Sequence, residues 1–245
     1  MSRRLSSLSA SFPAHDEEAN VEPMLTDLLA ALPEVADRFE IIVVDDGSRD
    51  RTFEIASRVA AADPRIRVVR HEVNRGYGAA VWTGLVTGTM DYAFFTDGDR
   101  QFDVRQIAEL IPALDRADVV VGYRVDRQDN LVRILNAHAW NWLIRVLLSV
   151  PVRDVDCAFK LFRRDVLKDL TIEAGGAMFS AELLARLVSR GVRIVEVPVR
   201  HLPREHGASS GGSPRVIARA FYELFRLYRK LKRGTPSAGA TPRTP

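Results

Sequence analysis

The chain has a single cysteine, Cys157, among its 245 residues, so no intrachain disulfide can form. Such a composition suits a reducing cytoplasm. No uninterrupted apolar run approaches the roughly 18–20 residues that cross a bilayer. The first twelve residues are too rich in serine to form the apolar core of a secretory signal. These absences predict a cytoplasmic location, either free or peripheral on the cytoplasmic face of the membrane.

A strong charge of one sign is also absent, because the formal net charge is only +3. The balance is nevertheless uneven along the chain. From Arg200 onward, ten Lys/Arg and two acidic residues give +8, whereas the first 199 residues hold 25 basic and 30 acidic residues, a balance of −5. A basic end on a mildly acidic body predicts an anionic partner at that end, either nucleic acid or an anionic membrane surface.

The overall composition is that of an ordinary globular protein, 47% hydrophobic and 27% charged, and the length fits one large α/β domain or two small ones. Through residue 122, short apolar runs that predict strands alternate with segments of helical spacing. Such alternation predicts a doubly wound, mainly parallel α/β sheet that binds ligands at the carboxyl ends of its strands. The predicted strands are 5–12, 40–46, 65–70, 92–96 and 118–122, and the predicted helices are 52–62, 76–90 and 104–114.

Two carboxylates follow the predicted strand 92–96, in the segment Asp97-Gly98-Asp99. In an extended backbone, residues i and i+2 face the same side, so Asp97 and Asp99 can address one target. Like charges this close repel each other unless a cation lies between them, and Mg²⁺ and Mn²⁺ prefer carboxylate oxygens. The segment therefore predicts either a divalent-metal site or a charged turn after a strand.

Two later segments combine apolar and basic residues. Residues 130–150 carry apolar side chains at helical spacing with Arg133 and Arg145 among them, a pattern typical either of a core helix or of an amphipathic helix on a membrane. Residues 213–233 predict an amphipathic helix, and its dense basic face favours an anionic membrane surface over packing on the domain. Residues 234–245 are rich in Pro, Gly, Ser and Thr and predict a disordered tail.

Six short segments stand out along the chain: PAHDEEAN at 13–20, VDDGSRDRT at 44–52, NRGYGAA at 74–80, DGD at 97–99, DVDCAFKLFRR at 154–164 and EVPV at 196–199. Their order and spacing are those of motifs of the family 2 glycosyltransferases, and the sequence resembles that family from about residue 12 to residue 231. The last two segments look like the polyprenyl-phosphate branch that is related to dolichol-phosphate mannose synthases.

The resemblance implies a single GT-A-like catalytic domain over residues 1–212, with a nucleotide-sugar half at 1–124 and an acceptor half at 125–212. The basic helix 213–233 would follow this domain. The activity implied is that of a metal-dependent, inverting transferase that uses Mg²⁺ or Mn²⁺ and a nucleotide-diphospho-sugar donor. The acceptor implied is a polyprenyl phosphate of the dolichyl or undecaprenyl type.

The resemblance also implies roles for individual residues. The implied nucleotide-sugar contacts are Pro13, His15, Glu17, Asp46, Gly76, Gly78 and Asp97, and the implied metal ligands are Asp97, Asp99 and Gln101. Asp99 also counts among the implied catalytic residues, together with arginines that position the acceptor phosphate, Arg124, Arg133 and Arg204.

Each of these assignments has an alternative. Asp46 and Glu17 could instead cap helices, and each arginine could be a solvated surface charge. A phosphate acceptor is already anionic and needs no protein base, whereas a sugar hydroxyl needs one. Glu182 or Asp156 could serve as that base, although Glu182 could also be a helix-face carboxylate.

The sequence departs from the family motifs at several positions that bear on substrate choice. His15 and Asp16 replace the usual Tyr-Asn, Tyr77 stands where many relatives have lysine, and Ser210 replaces the lysine of an R-x-x-G-x-S-K loop. Two rivals therefore stay open: a transferase of the same fold that acts on a soluble sugar or natural-product hydroxyl, and a noncatalytic nucleotide- or nucleic-acid-binding domain. A doubly wound pattern matches duplex-recognition modules poorly, so no nucleic-acid partner is expected.

Overall fold

The computed structural model describes residues 3–125, 131–176, 178–203 and 222–230, with the backbone alone for 131–138. These residues form seven strands and six α-helices, and residues 222–230 are a further helical segment. The strands are β1 (Leu5–Ala14), β2 (Ala36–Asp45), β3 (Ile66–Arg70), β4 (Tyr92–Thr96), β5 (Val119–Val125), β6 (Phe159–Arg163) and β7 (Ile194–Arg200). The helices are α1 (Val21–Val35), α2 (Thr52–Ala62), α3 (Tyr77–Thr87), α4 (Ile107–Leu110), α5 (Leu131–Leu148) and α6 (Phe179–Ser189).

The seven strands form one sheet in the order β3-β2-β1-β4-β6-β5-β7. β6 runs antiparallel to both of its neighbours, β4 and β5, and all the other pairs are parallel. The carboxyl ends of the parallel strands therefore meet at one edge, beside the point where the strand order reverses around β1. This topology confirms the predicted doubly wound, mainly parallel α/β fold.

The first strand is buried even though it contains several serines. The Ser9 hydroxyl donates to Glu40 Oε1 at 2.8 Å, and the Ser7 hydroxyl donates to Asp91 Oδ2 at 2.8 Å. A buried hydroxyl costs little free energy once it is paired. The serines can therefore lie in a central strand, and β1 occupies the position in the sheet where the ligand-binding edge is built.

The predicted helix 104–114 is interrupted in the structure. A 3₁₀ turn covers Val104–Gln106, α4 covers only four residues, and a second 3₁₀ turn covers Ile111–Asp115. Pro112 accounts for the second interruption, since proline has no N–H to donate to the carbonyl four residues earlier. The location and extent of the predicted helix were therefore right, but the stretch is not one continuous α-helix.

The hydrophobic core packs helices against both faces of the sheet, with aromatic rings near its centre. The Phe94 ring meets the Phe159 ring edge-on at 4.8 Å between centroids. Leu224 and Leu227 of the segment 222–230 are also buried, so one face of that segment packs against the body.

The domain boundary predicted at residue 212 lies outside the described residues. Within the described part of the chain, no helix is both long and apolar enough to cross a membrane.

Candidate active site

Asp97 and Asp99 lie immediately after β4, at the carboxyl edge of the sheet. Asp97 Oδ1 is buried and has no hydrogen-bond partner among the described residues. Burial, followed by the neighbouring charge of Asp99, raises the pKa of Asp97 to about 7. Asp99 Oδ1 accepts a hydrogen bond from Gln101 N at 3.2 Å. A carboxylate oxygen held in a buried position without a donor has the arrangement expected of a ligand for a cation.

The turn that carries these carboxylates is fixed on both sides. A Cβ atom added to Gly98 would lie 2.6 Å from the Pro13 carbonyl oxygen, so the turn can press against the end of β1 only with glycine there. Arg100 follows with a φ of 59°, in the left-handed region that few non-glycine residues adopt. Its Nε donates to Asp27 Oδ2 on α1 at 3.0 Å, which anchors the strained residue.

The two carboxylates fit a hard divalent cation that is shared with a substrate. No group of three or more His, Cys, Asp or Glu side chains within the described ranges could hold a metal ion by itself. Mg²⁺ in particular is usually held by one or two carboxylates together with substrate phosphates and waters. Asp97 and Asp99 supply that number of ligands, so a metal would be completed by a diphosphate.

Gln101, the third predicted metal ligand, lies beside the segment that follows β7. Its Nε2 donates to the Leu202 carbonyl at 3.1 Å, and Leu202 N donates to the Gln101 carbonyl at 2.8 Å. The structure thus brings Leu202, two residues before Arg204, next to the turn that follows Asp97 and Asp99. Arg204 itself lies outside the described residues, and both residues keep their roles as predictions.

Tyr77, at the start of α3, lies against the Asp97 carboxyl. Its hydroxyl is within hydrogen-bonding reach of the Asp97 carboxyl. Burial of the hydroxyl and the charge of Asp97 raise the pKa of Tyr77 well above its ordinary value, although 39% of the residue is exposed. The hydroxyl is therefore a neutral donor where a lysine would place a cation.

Asp46 is buried at the end of β2 and is already surrounded by donors. Its carboxylate accepts hydrogen bonds from Arg75 N at 2.9 Å and from Gly76 N at 2.8 Å. The buried His71 lies 2.6 Å from Asp46 Oδ1 through Nδ1 and 3.0 Å from Thr83 Oγ1 through Nε2. Asp46 thus holds the turn that opens α3, and its contact with a nucleotide stays a prediction. His71 was not singled out in the sequence, where only its place directly after a strand could have marked it.

The glycines at the start of α3 allow a close approach of another segment of the protein. Gly76 has a φ of 94°, and a Cβ atom there would lie 2.6 Å from the Gly175 carbonyl oxygen. Gly78 N donates to the same oxygen at 2.9 Å. The loop before α6 therefore caps this helix end. The predicted phosphate contact of both glycines stays a prediction, while their packing against this loop is a second reason for glycine.

Glu182 is buried in the first turn of α6, and both of its carboxylate oxygens are occupied. Oε2 accepts from Ala174 N at 2.7 Å and from Glu173 N at 3.1 Å, and Oε1 accepts from Arg186 Nε at 2.8 Å. A carboxylate that is engaged in this way holds the loop that packs on α3. This geometry favours a positioning role over the alternative role of a general base.

Arg124, at the end of β5, forms a two-pronged ion pair rather than standing free. Its Nε and Nη2 donate to the two carboxylate oxygens of Asp154, each at 2.7 Å. Burial opposes the charged form, but the hydrogen bonds to Asp154 raise the pKa of Arg124 further above its ordinary value. A guanidinium fixed by such a pair presents its remaining N–H groups in a set direction. The Arg133 side chain lies outside the described residues.

The predicted base-binding residues lie near the loop after β2. His15 Nδ1 donates to the Asp46 carbonyl at 2.9 Å. The Glu17 backbone N–H donates to Thr52 Oγ1 at 2.8 Å, and its carboxylate accepts from the Asn20 side chain at the start of α1. The structure therefore gathers Pro13, His15, Glu17 and Asp46 around the ends of β1 and β2. Their nucleotide contacts stay predictions.

The family profile described as Glycosyl transferase family 2 matches residues 9–171. The dodecaprenyl-phosphate galacturonate synthase of Rhizobium johnstonii is 32% identical over 214 residues, which cover 86% of this chain and 63% of that protein. The undecaprenyl-phosphate 4-deoxy-4-formamido-L-arabinose transferase of Edwardsiella ictaluri is 33% identical over 213 residues, which cover 86% of this chain and 64% of that protein. The chain thus spans a little under two thirds of the length of these relatives.

Solved structures show the same fold. The glucosyl-3-phosphoglycerate synthase from Mycobacterium tuberculosis, crystallised with Mn²⁺, UDP and phosphoglyceric acid, superposes with a TM-score of 0.71 at 21% identity, covering 96% of this chain and 81% of that one. The same synthase with Mg²⁺ and UDP gives a TM-score of 0.68 at 20% identity, covering 96% of this chain and 82% of that one. With a profile match over residues 9–171 and relatives above 30% identity, the chain belongs to glycosyl transferase family 2.

Proposed function

We propose that this protein is a metal-dependent, inverting glycosyltransferase that moves a sugar from a nucleotide-diphospho-sugar to a polyprenyl phosphate. The observation that carries the proposal is the pair of carboxylates, Asp97 and Asp99, at the carboxyl edge of the sheet, with a buried Asp97 oxygen that has no donor among the described residues. The named relatives transfer sugars to dodecaprenyl or undecaprenyl phosphate, and the structural neighbour was crystallised with Mn²⁺ or Mg²⁺ and UDP. These comparisons support both the lipid acceptor and the divalent metal.

In the proposed reaction, an acceptor phosphate oxygen attacks the anomeric carbon, and the bond from that carbon to the donor diphosphate breaks. The nucleoside diphosphate leaves with the bonding electrons, and attack from the opposite face inverts the configuration. A bound Mg²⁺ or Mn²⁺ supplies Lewis-acid stabilisation of the charge that develops on the leaving group. Asp97 and Asp99 would hold that cation at the edge of the sheet, and Tyr77 offers a neutral hydroxyl beside Asp97.

On the acceptor side of the proposed site, arginine would bind the acceptor phosphate, and no general base is needed. A phosphate acceptor is anionic at neutral pH, so the protein has only to orient it and offset its charge. Arg124 is fixed by Asp154 at the end of β5, and the backbone of the segment preceding Arg204 pairs with the backbone around Gln101. Glu182, the candidate base for a hydroxyl acceptor, already accepts three N–H groups and forms an ion pair with Arg186. The geometry therefore favours a phosphate acceptor over a sugar hydroxyl.

The donor and the acceptor can be tested separately. Calorimetry with a panel of nucleotide sugars, with and without Mn²⁺, should show binding that requires the metal. Product analysis with a labelled donor should then place the label on undecaprenyl phosphate. Label on a soluble sugar or natural product instead would establish the rival transferase, and the absence of any nucleotide-sugar binding would remove the enzymatic proposal.

The role of Glu182 gives an independent prediction about the acceptor. Glu182→Gln should lower the melting temperature, because the amide nitrogen cannot accept from Arg186, yet should leave kcat within about tenfold of the wild type. A general base normally contributes about 10²–10⁴-fold, so a kcat loss in that range in a folded variant would favour a hydroxyl acceptor. Arg186→Gln, which removes the same ion pair from the other side, is the matched control for the stability effect.

We also infer that the protein docks peripherally on an anionic membrane. Two helical segments expose apolar side chains to solvent: Trp142 is 63% exposed on α5, and Phe225 is 60% exposed on the segment 222–230. Arg229 places its guanidinium 5.7 Å from the Phe225 ring centroid, so a cation accompanies the exposed aromatic residue. Aromatic residues with neighbouring cations are typical of helices that bind the membrane interface.

The membrane proposal predicts the behaviour of single substitutions. Deleting residues 222–230 would also remove the buried Leu224 and Leu227 from the core, so single substitutions are the sharper test. Trp142→Ser and Phe225→Ser should each weaken co-sedimentation with phosphatidylglycerol vesicles about tenfold, the loss expected for one buried aromatic side chain. Val86→Ser, on the exposed face of α3, serves as the control. Unchanged co-sedimentation of both aromatic variants would contradict the docking surface.

A further inference from the structure

Lys160 is an ionisable side chain that is completely buried, and the proposed reaction does not use it. It lies at the second position of β6 with no exposed surface. Its Nζ lies 3.0 Å from the Val155 carbonyl, 2.5 Å from the Cys157 carbonyl and 3.3 Å from Ser180 Oγ. Three oxygen acceptors match the three N–H donors of an ammonium group. A buried lysine is retained only at a cost, so its position calls for a physical reason.

The register of the sheet places Lys160 close to the metal carboxylates. Lys160 on β6 is paired directly with Phe95 on the antiparallel β4. Directly paired residues point to the same face of a sheet, as do residues two apart on one strand. Lys160 and Phe95 therefore share one face, and Asp97 follows Phe95 by two residues. The Lys160 Nζ lies 5.1 Å from the Phe95 ring centroid, so the ammonium lies against the residue that leads into the carboxylate turn, and its charge reaches Asp97.

The charges around Lys160 are predominantly negative. Burial lowers the pKa of Lys160, and the charges of Asp156, Asp154 and Asp97 oppose that shift. Asp154 is already neutralised by its two-pronged pair with Arg124. Asp97, in the turn after β4, is therefore a group whose field the lysine offsets.

We propose that Lys160 is an internal countercharge that weakens the binding of a divalent cation to the Asp97–Asp99 pair alone, so that the cation is held tightly only together with a diphosphate. The proposal rests on the proposed metal role of these carboxylates. A fixed positive charge repels a divalent cation but attracts the anionic diphosphate that accompanies it. Lys160 is in this sense a positioning residue, since it acts through the field at the metal carboxylates and touches no substrate. It makes the site selective for the complete metal–donor complex.

The sign of a change in Mn²⁺ affinity tests this role. Lys160→Met should tighten the binding of Mn²⁺ to the nucleotide-free protein about tenfold, measured by electron paramagnetic resonance of the free ion, because one repelling charge is removed. The same variant should bind UDP more weakly in the presence of Mn²⁺. Lys168→Met is the matched control, because Lys168 is exposed after β6, away from the carboxyl edge of the parallel strands, and its loss should leave Mn²⁺ affinity unchanged.

Two further variants separate charge from packing. Lys160→Gln is neutral but can still donate two N–H groups to the carbonyls of Val155 and Cys157, so it should tighten Mn²⁺ binding as methionine does. Lys160→Arg keeps the charge and should resemble the wild type. Unchanged or weaker Mn²⁺ binding in a folded neutral variant would overturn the proposal, and so would the failure of both neutral variants to fold, because that would assign Lys160 to stability. A wild-type protein that binds no Mn²⁺, with or without UDP, would instead refute the metal role of Asp97 and Asp99 itself.

Discussion

Asp99→Asn is expected to reduce sugar transfer by about 10²–10³-fold or more while leaving the fold intact. The charge on the Asp99 carboxylate would help to hold the cation that stabilises the leaving diphosphate, and loss of one such electrostatic contact typically costs that much in rate. The substitution preserves shape, and the asparagine oxygen can still accept from Gln101 N. Initial rates with saturating donor and Mn²⁺, together with circular dichroism of the purified variant, check both halves of the prediction.

An aspartate-to-asparagine substitution at the other end of β4, at Asp91, provides the control. Asp91 precedes this strand and accepts hydrogen bonds from the hydroxyls of Ser6 and Ser7, at the edge of the sheet away from the metal carboxylates. Asp91→Asn should therefore retain most of its activity. Full activity of a folded Asp99→Asn protein would refute the metal role of this residue, and an equal loss in Asp91→Asn would mean that the effect is not local.

Asp97→Asn is expected to inactivate the enzyme and, in the absence of metal, to stabilise the folded protein at high pH. The pKa of Asp97 is raised from 3.8 to about 7 in the folded state. The folded state therefore binds a proton more tightly than the unfolded state, so the stability of the wild type falls as the pH rises from about 4 to 7. Above that range the variant should be more stable by up to about 4 kcal/mol, since each pKa unit corresponds to about 1.4 kcal/mol.

Urea denaturation at about pH 4 and pH 8 measures this effect. The two proteins should be similar at the lower pH, where Asp97 is protonated in the folded state and about half protonated in the unfolded state, and should diverge at the higher pH. Mn²⁺ with a nucleoside diphosphate should stabilise the wild type and leave the variant unaffected. A variant that is less stable than the wild type at pH 8 without metal would contradict the raised pKa. Such a result would mean that the buried oxygen has a donor in solution.

Local sequence patterns predicted much of the framework. The runs at 92–96 and 52–62 coincide with β4 and α2, because a short apolar run and a helical period are each complete within a few residues. The alternation of strands and helices predicted the doubly wound sheet, and the sheet order confirms it. The family resemblance, drawn from short motifs, is confirmed by the profile match and by the named relatives.

Other features could not be predicted from such patterns. The direction of β6 is one, since an antiparallel strand in a mainly parallel sheet has no local marker and depends on how the chain returns from α5. The interrupted helix near Pro112 is another, because its other residues keep an apolar helical spacing. The side-chain partners are a third. Glu182 pairs with backbone eight and nine residues away, and Asp46 with a turn about thirty residues away.

The sequence by itself determined that two carboxylates end a buried strand and that the chain carries the ordered motifs of family 2. Those properties depend on residue type and on spacing within a few positions. The tertiary structure decided which carboxylates are already engaged: Asp46 and Glu182 each accept N–H donors on both oxygens, whereas Asp97 keeps a buried oxygen with no donor among the described residues. It also paired Lys160 with Phe95, two residues before that turn. Hydrogen bonding and electrostatic fields depend on distances between residues far apart in sequence, and those distances exist only in the folded chain.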